Sequence, residues 1–290
     1  MDRKTIFLLL LVLGTAFWGI SFPITKLAIT SSSSSTFLCY RFIAATLILS
    51  IVFAKYFRQT DWKTIKAGIG LSLPLTFGIY LVTVGMQYTT ASQCAFVAGM
   101  SVVMVPVLKV ILYRSAIPIK TWLAALVALT GLFIISIKGA MTIYIGDLYT
   151  LIGAAGFALY LIRVEQQAHL KSIIPTIVPM FAGCAIITAI VALFDSGADW
   201  YPQSSSFWTG IVYCSLFSTA FTYTVSNMAQ RYISSERVAV IYLFEPVFAA
   251  ISAYFILDEP LTFRLLLGGS LIFAATLIAE INFSKRSLIK

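Results

Sequence analysis

The sequence predicts an all-α polytopic membrane protein whose ten transmembrane helices form two inverted five-helix repeats. Of 290 residues, 60% are hydrophobic and 11% are charged. Soluble domains carry roughly 45–50% and about 25%, so this chain has too few charges to cover a water-facing surface. Its apolar residues run in continuous stretches near the roughly 20 residues that a helix needs to cross a hydrocarbon core. Continuity also excludes an outer-membrane barrel, whose strands alternate. Finally, the chain matches itself weakly at an offset of 144 residues, close to half its length.

The first span, Thr5–Lys26, follows Arg3 and Lys4. Its opening, Ile6–Leu13 then Gly14-Thr15-Ala16, has the form of a short secretory signal with a small-residue cleavage site. The apolar run continues to about Thr25, so the segment reads as an uncleaved helix. Five serines at 31–35 form an external loop before the second span, Thr36–Ala54, which Lys55, Arg58, Lys63 and Lys66 follow. The third, Ala67–Gln87, and the fourth, Thr90–Leu112, are parted only by the polar run Gln87–Thr90. Arg114 and Lys120 bracket the turn into the fifth, Thr121–Lys138. The sixth, Asp147–Val164, gives way through Arg163, His169 and Lys171 to the seventh, Ser172–Phe194. Asp195 and Asp199 precede the eighth, Phe207–Ala229; Arg231 precedes the ninth, Glu236–Leu257. Asp258 and Glu259 separate that from the tenth, Thr262–Ile281, and residues 282–290 form a tail.

Basic residues set the orientation. With the N-terminus in the cytoplasm, 15 of the 20 Lys and Arg fall on the cytoplasmic side. Only Lys26, Lys138 and Arg264 fall outside, while Arg41 and Lys109 sit within spans. This positive-inside bias places both termini in the cytoplasm. It also accounts for the net charge of +9 without nucleic acid as a partner, since no basic stripe with interleaved aromatics stands clear of the spans.

At the 144-residue offset Phe77 meets Phe221, Tyr88 meets Tyr232, Ala95 meets Ala239 and Gly131 falls on Ala275. Spans three to five overlie spans eight to ten without a gap. Five crossings is an odd number, so a second unit at 147–281 must enter from the side opposite to the first at 1–138. Such inverted repeats place substrate between the halves near the bilayer midplane. They also give inward-open and outward-open states similar energies.

The first span reads AFWGISFPITKLAI, with Trp18-Gly19, Phe22 and Lys26; the second contains YRF with Arg41. The ninth runs IYLFEPVFAAISAYFILDEPLT, followed by Gly268 and Gly269. In these stretches, and in its hydropathy over nearly the whole length, the chain resembles the ten-helix EamA-type members of the drug/metabolite transporter superfamily. The resemblance implies a bacterial inner-membrane carrier exporting amino acids or related small metabolites. It implies a cavity lined by spans one, three, four, six, eight and nine, with five and ten peripheral. Two departures stand out. Ser115 occupies the place of Glu259 in the first half, and Pro106 lies one turn after Val102, the equivalent of Pro246.

An intramembrane charge costs about 2.5–3.5 kcal/mol on insertion scales, so each needs a reason. Glu245 lies nearest the middle of any span. It is either a titrating site for a proton or a substrate amine, or a structural group serving backbone that Pro246 leaves free. Ser101 is its equivalent, so the two form a candidate polar pair in the cavity. Arg41 and Lys109 read as snorkelling side chains, and Lys26 as an external anchor or gate. Trp62, Trp122, Trp200 and Trp208 fall near span ends and fit interfacial belts. Trp18 lies past the middle of its span, one turn from Ser21 and Phe22, which makes Trp18 and Phe22 candidate substrate contacts. Tyr80, Tyr160, Tyr223 and Tyr242 fall in the spans that the resemblance assigns to the cavity; their hydroxyls need partners away from lipid, in a substrate site or in helix packing. Asn227 is a candidate cytoplasmic gate or an interhelical hydrogen bond. Prolines 23, 74, 106, 179 and 246 offer bends.

Cys39, Cys94, Cys184 and Cys214 form no CxxC and read as small buried hydrophobes. One histidine leaves no metal cluster, no phosphate-cradling Gly-rich loop appears, and the embedded groups are too sparse for an enzyme. The expected protein is therefore a non-enzymatic secondary carrier without cofactor, monomer or homodimer in lipid. Proton exchange or the substrate gradient would drive it. A channel or a non-transporting scaffold is the alternative.

Overall fold

A computed structural model describes residues 3–114, 119–136, 144–168 and 173–280. Ser115, Lys138, His169, Lys171 and the 282–290 tail, all singled out above, lie outside them. Among the described residues every regular element is helical. Seven of the described helical stretches are long and apolar enough to cross a membrane, and two shorter apolar helices cover Trp122–Gly131 and Leu266–Ala275. The chain is a multi-pass membrane protein. Its outer faces agree: Ile51, Leu193, Phe255 and Phe263 are 71–79% exposed, which suits lipid and would be an aggregation hazard in water.

Helix α1 spans Arg3–Ile29. Helix α2, Ser34–Val52, starts inside the expected serine loop because the Ser33 hydroxyl caps it, accepting from the Thr36 N–H at 3.2 Å. After a 3₁₀ segment, Ala54–Gln59, Asp61 caps α3, Trp62–Tyr88, by accepting from the Thr64 N–H at 2.8 Å. That cap carries α3 a turn earlier than hydropathy predicts. The fourth span is α4, Ala91–Ala98, followed by α5, Ser101–Tyr113. Then come α6 (Ile119–Ser136), α7 (Ile145–Ala168) and α8 (Ile174–Phe194). The eighth span runs as α9, Ser205–Tyr213, a π segment over Cys214–Phe221, and α10, Thr222–Ala229. The ninth is α11, Ser235–Ile241, and α12, Phe244–Leu257; α13 covers Phe263–Glu280.

The 144-residue offset reappears in the backbone. Between α4 and α5 the helix tightens to i→i+3 bonds, Met100 N–H to Val97 O and Val102 N–H to Gly99 O. Between α11 and α12 the same tightening joins Leu243 to Val240 and Glu245 to Tyr242. Short 3₁₀ turns inside a helix mark hinges. Among the described residues two non-glycines have positive φ, Arg114 at 52° and Asp258 at 54°, and they end α5 and α12 at equivalent places. Packing follows the offset too. Helix α3 lies on α7 as α1 lies on α9 and α10; α1 lies on α12 as α7 lies on α5; α2 faces α8, and α6 faces α13.

Small residues permit these contacts, as expected where no water drives helices together. A Cβ on Gly78 would stand 2.9 Å from the Gly153 carbonyl oxygen, and one on Gly153 would stand 2.7 Å from that of Gly78. Prolines free carbonyls one turn upstream, and side chains from the other unit take them. Arg163 donates to Gly70 O at 3.3 Å, below Pro74, and Ser252 donates to Gly19 O at 3.4 Å, below Pro23. Pro246 instead stands in the first turn of α12, where its missing N–H costs little. Glu245 thus has no proline-freed backbone to serve.

Candidate functional site

A cavity of about 90 Å³ lies where these helices meet. Trp18, Ser21, Phe22 and Thr25 reach it from α1, and Ile79, Val82, Thr83 and Met86 from α3. Gly99 and Ser101 come from the α4–α5 turn, Ala154 and Phe157 from α7, Tyr223 from α10, and Tyr242 and Glu245 from the α11–α12 turn. These belong to spans one, three, four, six, eight and nine. One further side chain enters from α2, that of Arg41.

Aromatic rings build one wall. The Trp18 ring lies 4.7 Å from Tyr242, 4.9 Å from Tyr223 and 5.6 Å from Phe157, mostly edge-on, the preferred geometry of ring quadrupoles. The indole N–H donates to the Ser218 carbonyl at 2.5 Å, and the Tyr242 hydroxyl bonds Ser226 Oγ at 2.5 Å. The Ser218 carbonyl is available because the π segment loosens the ordinary helical ladder there.

The same segment holds Arg41. Its Nε donates to Thr219 Oγ1 at 2.8 Å and its Nη2 to Ser218 Oγ at 3.0 Å. Ser215 donates to the Arg41 carbonyl at 3.1 Å. Arg41 is only 6% exposed, so it does not snorkel as the sequence suggested. Its polar partners lie 177 and 178 residues away along the chain. Glu245 sits in the first turn of α12, where a helix N-terminus favours a carboxylate. Among the described residues its carboxyl group has no hydrogen-bond or ion-pair partner, and Arg41 has no ion-pair partner.

Six candidates from the sequence thus meet at the cavity: Trp18, Phe22, Ser101, Tyr223, Tyr242 and Glu245. Four others stand elsewhere. Tyr160 is fully buried behind Tyr223 and Phe157, its hydroxyl donating to Asn227 Oδ1 at 2.7 Å, and the Asn227 amide reaches Met180 Sδ at 4.0 Å. Tyr80 lies on the opposite face of α3, in a separate cavity of about 590 Å³ lined by Thr30–Ser34, Gln87, Asp195 and Asp199. Lys26 Nζ donates to the carbonyls of Met86, at 2.9 Å, and Thr89, tying α1 to the end of α3.

Charged groups cross between the two units at each end of the molecule. At the Lys26 end, Glu259 accepts from the N–H groups of Ala91 and Ser92, at 2.9 and 3.2 Å, and from the Ser92 hydroxyl. Nearby Gln93 donates to Asp147 at 2.7 Å. At the other end Lys109 pairs with Glu165 and, at 2.7 Å, with Glu236, and Ser235 donates to Glu165 at 2.8 Å. Lys109 therefore bridges helices instead of snorkelling. The four cysteines are buried and free.

The profile of the EamA-like transporter family matches residues 5–137 and again 144–280. An uncharacterized transporter of Archaeoglobus fulgidus is 29% identical over 94% of this chain and 85% of its own length. Uncharacterized transporter YyaM of Bacillus subtilis is 24% identical over 97% and 95%. A solved crystal structure superposes with a TM-score of 0.72 at 12% identity, covering 95% of this chain and 96% of that one, a likeness of fold.

Proposed function

The chain belongs to the EamA-like transporter family, and we propose that it is a secondary active carrier exporting small metabolites, amino acids or related compounds, by alternating access. The observation that carries this reading is the cavity itself: both units line it, and an arginine and a glutamate enter a wall of aromatic, apolar and uncharged polar side chains. Buried charge in a membrane protein is costly and marks ion or substrate pathways.

In this reading the chain crosses ten times, as two inverted repeats at 1–138 and 147–281. Equivalent element ends, equivalent 3₁₀ turns, two successive family matches and packing pairs that survive exchange of the halves support it. The membrane is a bacterial inner membrane with both termini cytoplasmic, and the protein acts as monomer or homodimer with lipid and small-molecule substrate as partners. Trp18, Phe22, Ser101, Tyr223, Tyr242 and Glu245 contact substrate. Tyr160 and Asn227 lie just behind the aromatic wall, Asn227 as a gate residue, while Tyr80 belongs to an outer vestibule. Lys26 gates the outer end, and Glu245 takes the coupling proton where protons drive the cycle.

Counterflow in proteoliposomes tests the reading. A carrier shows saturable exchange stimulated by substrate on the far side; a channel or scaffold does not. Trp18→Ala should weaken apparent substrate affinity about tenfold, the scale of losing one aromatic contact, while Trp122→Ala, on peripheral α6, leaves it unchanged. Equal affinities would remove α1 from the site.

A further inference from the structure

Helix α3 and the stretch through α10 carry matching stripes, and the cavity opens on only one of them. Ile79, Val82, Thr83 and Met86 recur at i, i+3, i+4 and i+7 on one face of α3, and all four line the cavity. The 144-residue offset carries them to Tyr223, Ser226, Asn227 and Gln230, the last of these the cap of α10. Of this second stripe only Tyr223 reaches the cavity; the other three side chains are wholly buried. The cavity is thus off-centre. Its lining on α1 runs from Trp18 to Thr25, in the half of the helix nearer Lys26, whose ammonium donates to the Met86 carbonyl. The second stripe runs the other way, toward Tyr232, which stacks on Phe7 at the far end of α1.

Packing relates the facing helices in the same manner. A Cβ on Gly14 would stand 2.9 Å from Thr222 Cγ2, and one on Gly153 would stand 2.7 Å from the Gly78 carbonyl oxygen. Thr222 and Gly78 are equivalent, so α7 overlies α1 with Gly153 on Gly14, which sets Tyr160 on Ser21 and Glu165 on Lys26. Ser21 lines the cavity. Tyr160 is instead wholly buried, its hydroxyl donating to Asn227 Oδ1 at 2.7 Å. Beyond it Glu165 pairs with Lys109 of the first unit and accepts from Ser235 at 2.8 Å. The Lys109 end is therefore filled where the Lys26 end is hollow.

Gln230 does not suit a place that stays filled. Its Oε1 and Nε2 are both buried without a hydrogen-bond partner among the described residues. Such an amide has given up its hydration for nothing. An apolar side chain would fill the space without that loss, as Met86 does at the equivalent point. Water or a ligand that reaches the amide in another conformation removes the penalty.

We propose that a second cavity, closed in this conformation, forms between α7 and α10 at the Lys109 end, where Tyr160, Ser226, Asn227 and Gln230 offer hydrogen-bonding groups to water and to uncharged polar groups of a substrate. It opens when Lys109 parts from Glu165 and Glu236, while the present cavity closes, as two related units exchange conformations. Its α10 wall is polar where the α3 wall is mainly apolar, so cargo meets a different surface on each side of the cycle. The proposal rests on the carrier reading above and gives the hidden half of its path particular residues.

Cysteine labelling of the full chain with a membrane-impermeant methanethiosulfonate, applied from each side of the membrane, tests it. The unsubstituted protein, whose four cysteines are buried, gives the background. Met86→Cys should label from the Lys26 side and Gln230→Cys from the Lys109 side. Adding Lys109→Met to Gln230→Cys should raise that rate about tenfold or more, the population shift expected when one state loses its latch. Labelling of both positions from one side, or none of Gln230→Cys in either background, would overturn the proposal. Gln230→Leu probes the same wall without touching the latch. It should unfold no more easily than wild type, since it removes an unpartnered amide, yet slow counterflow about tenfold, the scale of one hydrogen bond lost in the open state. Counterflow at the wild-type rate would overturn the role given to that wall. If the wild-type chain exchanges no compound in a broad metabolite panel, the carrier reading fails, and the labelling pattern alone decides whether the second cavity exists.

Discussion

Helices α4 and α11 occupy matching places in the two units, yet their first turns are held by different physics. Ser92 and Glu236 are equivalent positions, each the second residue of its helix. Ser92 and its neighbour Ala91 donate backbone and hydroxyl protons to Glu259. Glu236 pairs with Lys109, which also holds Glu165. One end is therefore closed by a carboxylate on a helix N-terminus, a short-range contact fixed by geometry. The other is closed by three charges summing to −1, an arrangement that responds to salt and to the loss of any partner. Two related units can thus share a fold and still latch their ends differently, which in the carrier reading proposed above gives the two openings separate controls.

The largest effect that tests this contrast is Lys109→Met. Removing the lysine leaves Glu165 and Glu236 together without a cation, each side chain only 15–16% exposed. Breaking a buried pair from one side costs about 3 kcal/mol, so thermal unfolding in detergent should show a clear loss. The accessibility of a cysteine introduced at that end should rise. Glu259→Ala should cost about 1 kcal/mol, the usual value of a helix cap. Equal losses, or a larger one for Glu259→Ala, would break the contrast. Salt gives a third, smaller effect. Moving from low ionic strength to about 1 M shortens the Debye length to about 3 Å. Wild-type stability should then fall by less than about 1 kcal/mol, with no such fall in Lys109→Met. A salt response shared by both proteins would place it elsewhere.

The residues that the sequence reading placed well are those whose signal is local. Charges bound the spans, and the 144-residue offset read from Phe77/Phe221 and Tyr88/Tyr232 also relates the paired 3₁₀ turns and the left-handed ends at Arg114 and Asp258, which no residue type had marked. Arg41 was misread because depth along one helix says nothing about partners on another. A signal was nevertheless present. Ser215, Ser218, Thr219 and Thr222 recur at i, i+3, i+4 and i+7, a buried polar stripe in an apolar span that calls for a buried donor. Tyr80 was separable in the same way. Ile79, Val82, Thr83 and Met86 share one face of α3 at helical spacing, and Tyr80 falls out of phase with them. The π segment had no such mark, because it depends on contacts with Trp18 and Arg41 that only the folded chain makes.

The smallest expected effect lies at the Lys26 end, outside the helices. Asp195 ends α8 and accepts from the Ser35 hydroxyl at 2.5 Å and from the Gly197 N–H at 2.9 Å. The Ser35 bond chiefly, then the Gly197 N–H, holds its carboxyl below the ordinary 3.8. A depressed folded value means that the contact stabilises the protein above the unfolded value and is lost as pH falls through the folded one. Asp195→Asn should therefore unfold slightly below wild type at pH 7, and the gap should close only in acid more extreme than about pH 4. Because the partners are neutral dipoles, raised salt should leave that gap in place. A gap that closed with salt would mean that Asp195 works by charge pairing, and the two ends would then differ in degree and no longer in kind.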